Sequence, residues 1–215
     1  VDQLCARLSG VEVQQYAGVE YHQGRLGDKE VVVCCAGMGK ANAAATTQVL
    51  CGKFGAQAII FSGIAGNMSE EIGIGDVVVG KEVCYHDAEV SMICQSAPFL
   101  KSYTGDPALV QAALDACAAL GVKAIAGRIA TGDTFVGDGA TKAVIAEKVH
   151  PDCVEMEGAA VSQIAARNGV PCVVLRAMSD NADESGHELL VVKKFSIAEY
   201  VTTATAIVAR MLESL

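Results

Sequence analysis

Acidic side chains stand at the ends of two apolar segments in the second half of the chain. The first segment reads CVEME and contains Glu155 and Glu157, and the second reads PCVVLRAM and runs into Ser179 and Asp180. Open α/β sheets bind ligands beyond the carboxyl ends of their strands, so both acidic ends fall where a site is expected. Two carboxylates in one cleft suit a planar, polyhydroxylated ligand such as a nucleoside: one binds vicinal hydroxyls and the other gives or takes a proton. The competing interpretation is that Asp180 is only an ordinary turn or helix cap.

Arg176 interrupts the second apolar segment, and a buried guanidinium requires a partner. The candidate partner is Glu155, which we expect at the matching depth of the neighbouring strand. The two charges would neutralise each other beneath the site, and we favour that structural role over a direct part in catalysis.

Glycine-rich turns follow three further apolar segments. The turn at residues 37–40 reads GMGK, with Asn42 in place of the third glycine of a dinucleotide-binding motif and Ala41 in place of the Ser or Thr of a P-loop. It is therefore predicted to be a tight strand-to-helix turn rather than a phosphate cradle. Residues 63–67 are expected to turn sharply, either presenting backbone amides to a ligand or simply because the turn is crowded. Phe135, in the third turn, either stacks on a planar base or packs in the protein.

Amino-acid composition and net charge indicate how many domains the chain forms and what kind of partner it binds. With 215 residues, 52% of them hydrophobic, and four prolines, residues 1–215 are expected to form a single domain. A net charge of -9 and a pI near 4.9 argue against a nucleic-acid or anionic-membrane partner, which leaves a small molecule. No apolar run approaches the roughly 20 residues of a membrane span.

Cysteine and histidine usage bears on compartment and cofactors. The nine cysteines are an odd number and lie mostly in apolar segments, which indicates free thiols in a reducing cytoplasm. No cysteine pair has zinc-site spacing and the four histidines are far apart, so we expect neither a metal nor another cofactor.

Alternating strand and helix patterns predict a three-layer α/β/α domain. The central sheet is expected to be mixed, because a hairpin of two alternating strands runs directly into the third strand. The predicted strands are residues 11–16, 19–26, 30–36, 58–62, 77–85, 122–130, 153–157 and 171–178, and the predicted helices are 1–8, 41–54, 108–120, 140–149, 158–167 and 196–215. A long loop of the kind often kept for function is expected at residues 92–106.

The chain starts at Val1 without a methionine and inside the first predicted helix. We expect that an upstream segment of about one strand, the usual five to six residues, precedes it in the natural protein. The N-terminal strand and any targeting signal would belong to that segment.

Seven segments occur in the order GMGKANAAA, SGIAGN, IGIGDVVV, YHDAEV, GDTFV, VEMEGAAV and RAMSDNAD. With them the chain closely resembles the 5′-methylthioadenosine/S-adenosylhomocysteine nucleosidases of the purine nucleoside phosphorylase superfamily, from Val1 nearly to Leu215. The resemblance implies a mixed sheet partly closed into a barrel, a homodimer, and a role in methionine salvage. The implied reaction is hydrolysis of the N-glycosidic bond of 5′-methylthioadenosine, S-adenosylhomocysteine and related nucleosides, which releases adenine.

The resemblance also implies roles for individual residues. Asp180 would protonate the purine at N7 with support from Ser179, and Glu157 would bind the ribose hydroxyls. The other substrate-binding residues would be Met156 on the sugar, Phe135 stacked on adenine, Val136 at the edge of the base through its backbone, Gly66 and Met38 lining the pocket, and Arg176. Protonation helps a neutral purine to leave, and a nearby carboxylate stabilises the oxocarbenium ion that remains.

Three features depart from the pattern of the family. The water-activating glutamate of the family would lie upstream of Val1, so the chain as written is expected to bind a nucleoside but to hydrolyse it poorly. Ile64 stands where many members have a serine near the attacking water. The loop at residues 92–103 is short and carries few aromatic residues, which leaves the preferred 5′ substituent open.

Other functions are possible on the same residues. A phosphate-dependent nucleoside phosphorylase would place an arginine near Phe61 and a serine at Ile64 to hold phosphate, and neither residue type stands there in the sequence. An aminodeoxyfutalosine nucleosidase would differ only in its 5′ substituent. A non-catalytic nucleoside-binding module is the third alternative, although it would have little need for Asp180.

Overall fold

The computed structural model describes residues 1–184 and 196–215. Helices and strands alternate along the chain, as the sequence patterns predict, and most boundaries lie within two residues of the expected ones. The helices are α1 (Asp2–Cys5), α2 (Lys40–Gly52), α3 (Val90–Ile93), α4 (Pro107–Ala119), α5 (Gly139–Val149), α6 (Gly158–Arg167) and α7 (Ile197–Ser214). The strands are β1 (Ser9–Tyr16), β2 (Val19–Leu26), β3 (Lys29–Cys34), β4 (Ile59–Asn67), β5 (Val77–Tyr85), β6 (Tyr103–Thr104), β7 (Ala124–Thr131), β8 (Cys153–Glu155) and β9 (Cys172–Asp180).

The central sheet closes on itself. Strands β5, β7, β8, β4 and β9 follow one another in hydrogen-bonded order, and β9 pairs again with β5. The β4–β9, β5–β7 and β7–β8 pairs are parallel, whereas β4–β8 and β5–β9 are antiparallel. The expected mixed, partly barrel-like sheet is therefore confirmed. The carboxyl ends of β4 and β9 lie side by side, as do those of β7 and β8, and the short antiparallel pairing of Gly66 with Val154 brings the two pairs together.

The early hairpin lies outside this barrel. Strands β1, β2 and β3 form a separate three-stranded antiparallel sheet, joined by tight turns after Tyr16 and Leu26. The expectation that the hairpin makes the central sheet mixed was wrong. Its mixed character comes instead from the antiparallel pairs that β4 makes with β8 and that β5 makes with β9.

Helices cover the barrel on opposite sides. On one side α4 and α7 pack on the apolar faces of β5 and β9, where Leu109, Ala113 and Ile207 are buried. On the other side α2 and α6 pack together through small residues such as Ala43 and Ala165. Small residues on α2 and α6 let the helices approach closely, and the result is the expected three-layer arrangement. None of the helices among the described residues is long and apolar enough to cross a membrane.

Strand β4 is longer than its sequence pattern predicts. Residues 63–67, expected to form a sharp turn, continue the strand and pair with β9 and then with β8. The glycines serve close approach rather than turning. A Cβ atom on Gly63 would lie 1.5 Å from a guanidinium nitrogen of Arg176, and one on Gly66 would lie 3.0 Å from an oxygen of Asp180.

The absent side chain of Gly63 opens a passage across β4. Arg176 on β9 and Glu155 on β8 form a buried ion pair although β4 separates their strands. The sequence predicted the partner correctly but not the strand order, since β8 and β9 are not neighbours. The guanidinium crosses β4 above Gly63 and lies 4.5 Å from the ring centre of Phe61.

This passage gives a prediction for stability. Gly63→Ala should lower the free energy of unfolding by about 3 kcal/mol or more, because the added methyl group displaces the guanidinium and separates a buried pair of charges. Gly73→Ala is the matched control, since a Cβ atom there meets no other atom within 4 Å. Urea unfolding of both variants compares them, and equal, small losses would show that Arg176 does not need the space.

Candidate active site

Asp180 lies at the end of β9 in a buried, hydrogen-bonded position. Only 2% of the residue is exposed. Its Oδ2 lies 2.8 Å from the hydroxyl of Ser179, and the N–H of Ala182 donates to its Oδ1 at 2.8 Å. The register with β4 shifts here, so that Ala65 pairs with Met178 and Gly66 with Asp180. Such an irregularity redirects side chains at the strand end, which accounts for the fixed orientation of this carboxyl group.

A small cleft surrounds Asp180. It has a volume of about 30 Å³, and five of the predicted site residues line it together with Thr134, Val154 and Glu155. The five are Gly66, Phe135, Val136, Met156 and Asp180. A larger cavity of about 280 Å³ lies beside α7, and no predicted site residue lines it. The chemistry-bearing side chains therefore converge at the smaller cleft.

Glu155 has every acceptor position occupied. Its carboxylate receives the N–H groups of Glu157 and Gly158 at 2.7–3.0 Å, the hydroxyl of Thr131, and the guanidinium of Arg176. The N–H groups come from the start of α6, where the helix leaves them without partners. A carboxylate saturated in this way is a structural anchor, which is the role expected from its pairing with Arg176.

Glu157 is placed differently although it is only two residues away. The N–H of Gly39 donates to its Oε1 at 2.8 Å, and Arg176 lies 3.3 Å from its Oε2. Burial raises the pKa of Glu157, and the Gly39 hydrogen bond and the Arg176 charge offset that rise only in part. Arg176 thus joins a saturated carboxylate to one that retains capacity for a ligand.

The remaining predicted residues lie around this core. Ser179 is buried and contacts Asp180, as expected. The side chain of Met38 is 74% exposed on the turn before α2, and does not line the cleft, although its neighbour Gly39 contacts Glu157. Its expected place on the pocket wall therefore stays a prediction.

Sequence reasoning missed two groups of residues at the site. Thr131 donates to Glu155 and also accepts the N–H of Ala159, so it joins β7 to the start of α6. Lys40, Asp87 and Asp133 form an ionic cluster beside Gly39. Thr131 immediately precedes the third glycine turn and was a recognisable polar strand end, whereas the cluster joins three distant segments and left no local signal.

A closed mixed barrel with helices around it and acidic groups in a cleft at its strand ends defines an α/β protein of the nucleoside phosphorylase fold. The chain belongs to the Phosphorylase superfamily, because the sequence profile of that family matches residues 1–213. The expected membership in that superfamily is confirmed.

Relatives within the superfamily are similar over most of their length. A 5′-methylthioadenosine/S-adenosylhomocysteine nucleosidase of Shewanella sediminis is 43% identical over 173 residues, covering 78% of this chain and 75% of the relative. The S-adenosylhomocysteine nucleosidase of Streptococcus pyogenes, solved with 5-methylthiotubericidin, is 33% identical with a TM-score of 0.91 and covers 100% of this chain and 92% of that one. Futalosine hydrolase of Helicobacter pylori is 28% identical with a TM-score of 0.86, covering 96% and 90%.

Loss of the negative charge should change the free energy of unfolding differently at Glu155 and at Glu157. A carboxyl group whose pKa is higher in the folded than in the unfolded chain is harder to ionise when folded, so its charge at neutral pH costs stability. Burial does this to Glu157. We therefore expect Glu157→Gln to leave the free energy of unfolding unchanged or higher. Glu155→Gln should lower it by about 3 kcal/mol, because Arg176 loses its principal buried partner.

Urea unfolding at neutral pH compares the two variants directly. Because the substitutions are isosteric and lie two residues apart, each serves as the control for the other. If Glu157→Gln destabilised the fold as much as Glu155→Gln, the division into an anchor and a ligand-binding carboxylate would be wrong.

Proposed function

We propose that the protein hydrolyses the N-glycosidic bond of 5′-methylthioadenosine, S-adenosylhomocysteine and related adenine nucleosides, releasing adenine. The observation that carries the proposal is a buried Asp180 held by Ser179 in the same cleft as Phe135 and Met156. A purine departs as a neutral molecule only if it gains a proton, and a fixed carboxyl group beside the base can supply one. The names of the similar nucleosidases support the same reaction.

Glu157 supplies the complementary interaction. Its carboxylate accepts hydrogen bonds from vicinal ribose hydroxyls, while Met156 packs against the sugar and Phe135 stacks on the base with its exposed ring. Positive charge develops on the sugar as the bond to the base breaks. A desolvated carboxylate close to that charge stabilises the transition state more than it stabilises the neutral nucleoside. Gly66 leaves space beside Asp180, and the backbone of Val136 meets the edge of the base.

Water rather than phosphate is the acceptor of the sugar. Arg176 does lie beside Phe61, where a phosphorylase would need a cation, but Glu155 and Glu157 already bind its charge. Ile64 offers no hydroxyl at the adjacent position. A phosphate dianion held there would face two carboxylates, and the cation beside Phe61 is already paired, which costs more than the binding of a water molecule.

Substrate choice also depends on the 5′ substituent of the nucleoside. The similarity to futalosine hydrolase favours an aminodeoxyfutalosine-type nucleoside as an alternative substrate on the same machinery. The loop at residues 92–103 is short and carries few aromatic residues, so we propose an open 5′ pocket that tolerates bulky groups. Met92 and Phe99, in this loop, are exposed.

The same exposed side chains support a homodimer in which the loop of the partner completes each pocket. Apolar groups such as Phe99, 68% exposed, gain from burial against a second copy. We also propose that the enzyme acts in the cytoplasm, where its thioribose product can enter methionine salvage. All nine cysteines are free thiols, which suits a reducing compartment.

Asp180→Asn tests the proposed acid. The amide keeps the shape of the side chain but cannot supply the proton, so we expect kcat for 5′-methylthioadenosine to fall by about 10² to 10⁴. Affinity for the intact nucleoside should change by less than about threefold, because protonation is needed only as the bond breaks. Steady-state adenine release and calorimetric binding measure the two quantities. Equal losses in rate and affinity would instead favour a non-catalytic binding module.

A panel of nucleosides tests the open 5′ pocket. We expect kcat/KM values for 5′-methylthioadenosine, S-adenosylhomocysteine and 5′-deoxyadenosine to lie within about tenfold of one another. A methylene group enclosed in a hydrophobic pocket changes binding by about 1–3 kcal/mol, and an open pocket makes fewer such contacts. Adenine release measured for all three under one set of conditions gives the comparison. A steep preference for the methylthio group would contradict the open pocket.

A further inference from the structure

Three turns meet beside the active site. The first turn, residues 37–40, joins β3 to α2; the second, residues 86–87, ends β5; and the third, residues 132–136, follows β7. No role in substrate binding follows from the proposed chemistry for the charged residues of these turns. Lys40, Asp87 and Asp133, one from each turn, form what we call the lysine cluster.

Side-chain contacts hold the lysine cluster together. The ammonium group of Lys40 donates to both oxygens of Asp87 at 2.9 and 2.8 Å and lies 3.4 Å from Oδ2 of Asp133. It also lies 5.6 Å from the ring centre of Tyr85. The side chains of Lys40 and Asp87 are 25% and 24% exposed, so solvent screens their attraction less than at an open surface.

Backbone groups extend the same connections. The N–H of Lys40 donates to Oδ1 of Asp133 at 2.9 Å, and the N–H of Asp133 donates to Oδ2 of Asp87 at 2.9 Å. The first and third turns are therefore joined to the cluster through main-chain N–H groups as well as through side chains. The cluster contains one positive and two negative groups, and without Lys40 the two carboxylates would repel each other across this contact.

The lysine cluster adjoins the groups that would hold a nucleoside. Gly39, next to Lys40, donates its N–H to Glu157 at 2.8 Å and adopts a φ of +89°, which favours glycine. Phe135 lies two residues beyond Asp133. One end of the cluster thus fixes a donor to the sugar-binding carboxylate, and the other fixes the turn that carries the base-stacking ring.

We propose that Lys40 is a positioning residue that sets nucleoside affinity by holding the Gly39 donor and the Phe135 turn in one arrangement. The inference rests on the proposed function for the identity of the substrate. Lys40 acts through Glu157 and Phe135 and does not itself contact the reacting atoms. Losing it should therefore affect binding of the ground state and the transition state alike, which raises KM and leaves kcat largely unchanged.

The test compares Lys40→Met with the wild-type protein. KM for 5′-methylthioadenosine should rise about tenfold, with kcat changed by less than about threefold. Adding Asp133→Asn to Lys40→Met should recover at least threefold of that loss, because one of the two facing carboxylates is removed. Asp133→Asn alone should raise KM by only about two- to threefold, because the side chain of Asp133 is 54% exposed. A merely structural role for Lys40 would lower stability without this rescue.

Lys123→Met is the matched control. Lys123 lies before β7 and does not line the cleft, and its ammonium contacts the carbonyl of Glu71 and lies 4.0 Å from Asp76. We expect no change in KM for this variant. A rise in KM equal to that of Lys40→Met would overturn the proposal.

Hydrogen exchange separates this inference from the proposed function. In Lys40→Met, amides of the first and third turns should exchange faster together, whereas in Lys123→Met they should not. Unchanged exchange, or faster exchange with an unchanged KM, would overturn the positioning role. If the wild-type protein released no adenine, the proposed function would fail, and exchange in the two turns would still decide whether Lys40 joins them.

Discussion

The buried charge of Arg176 is the constraint on which the rest of the site depends. A guanidinium in an apolar strand must be neutralised, and Arg176 reaches its partner Glu155 across β4 above Gly63. The route requires glycine on β4, an acidic residue at the end of β8, and a helix start that saturates that residue. These requirements fix Glu155, and with it the backbone that places Glu157 two residues later.

The fold thereby gives two glutamates, Glu155 and Glu157, different electrostatic environments. Glu155 is surrounded by N–H groups, a hydroxyl and a guanidinium, so its negative charge is well compensated. Glu157 shares the guanidinium at a longer distance and receives one backbone donor. Its ionised form is less well solvated than in water, and a ligand that offers hydroxyl donors relieves that cost. The proposed affinity for a sugar and the expected loss of stability therefore have the same geometric cause.

Periodicity and charge in the sequence predicted most of the secondary-structure elements and the partner of Arg176. Val77–Tyr85 was predicted to its observed boundaries, and the isolated charge of Arg176 correctly indicated Glu155 as its partner. The extension of β4 through residues 63–67 was not predicted, because glycines that permit close approach look like glycines that permit turns. The strand order that separates β8 from β9 depends on long-range pairing, which no local pattern records.

The candidate site shows the same division. Asp180 and Glu157 stood out because chain polarity changes at the ends of their strands, and the structure places Asp180 in the cleft and Glu157 directly after Met156, which also lines it. The lysine cluster escaped detection because its three members are 46 and 47 residues apart along the chain, and each alone has an ordinary sequence context. Sequence therefore located the groups proposed to act on the substrate and missed those that hold them in place.

In the proposed reaction, water takes the place of the purine on the sugar. The test is to incubate the protein with 5′-methylthioadenosine in water enriched in oxygen-18, with and without phosphate. Mass spectrometry of the products then shows which acceptor the sugar has taken. We predict equal rates of adenine release in both cases and one labelled oxygen per sugar when quenched before exchange at the free anomeric carbon, with adenine unlabelled. Release that requires phosphate and yields a sugar 1-phosphate would show that the protein is a phosphorylase instead.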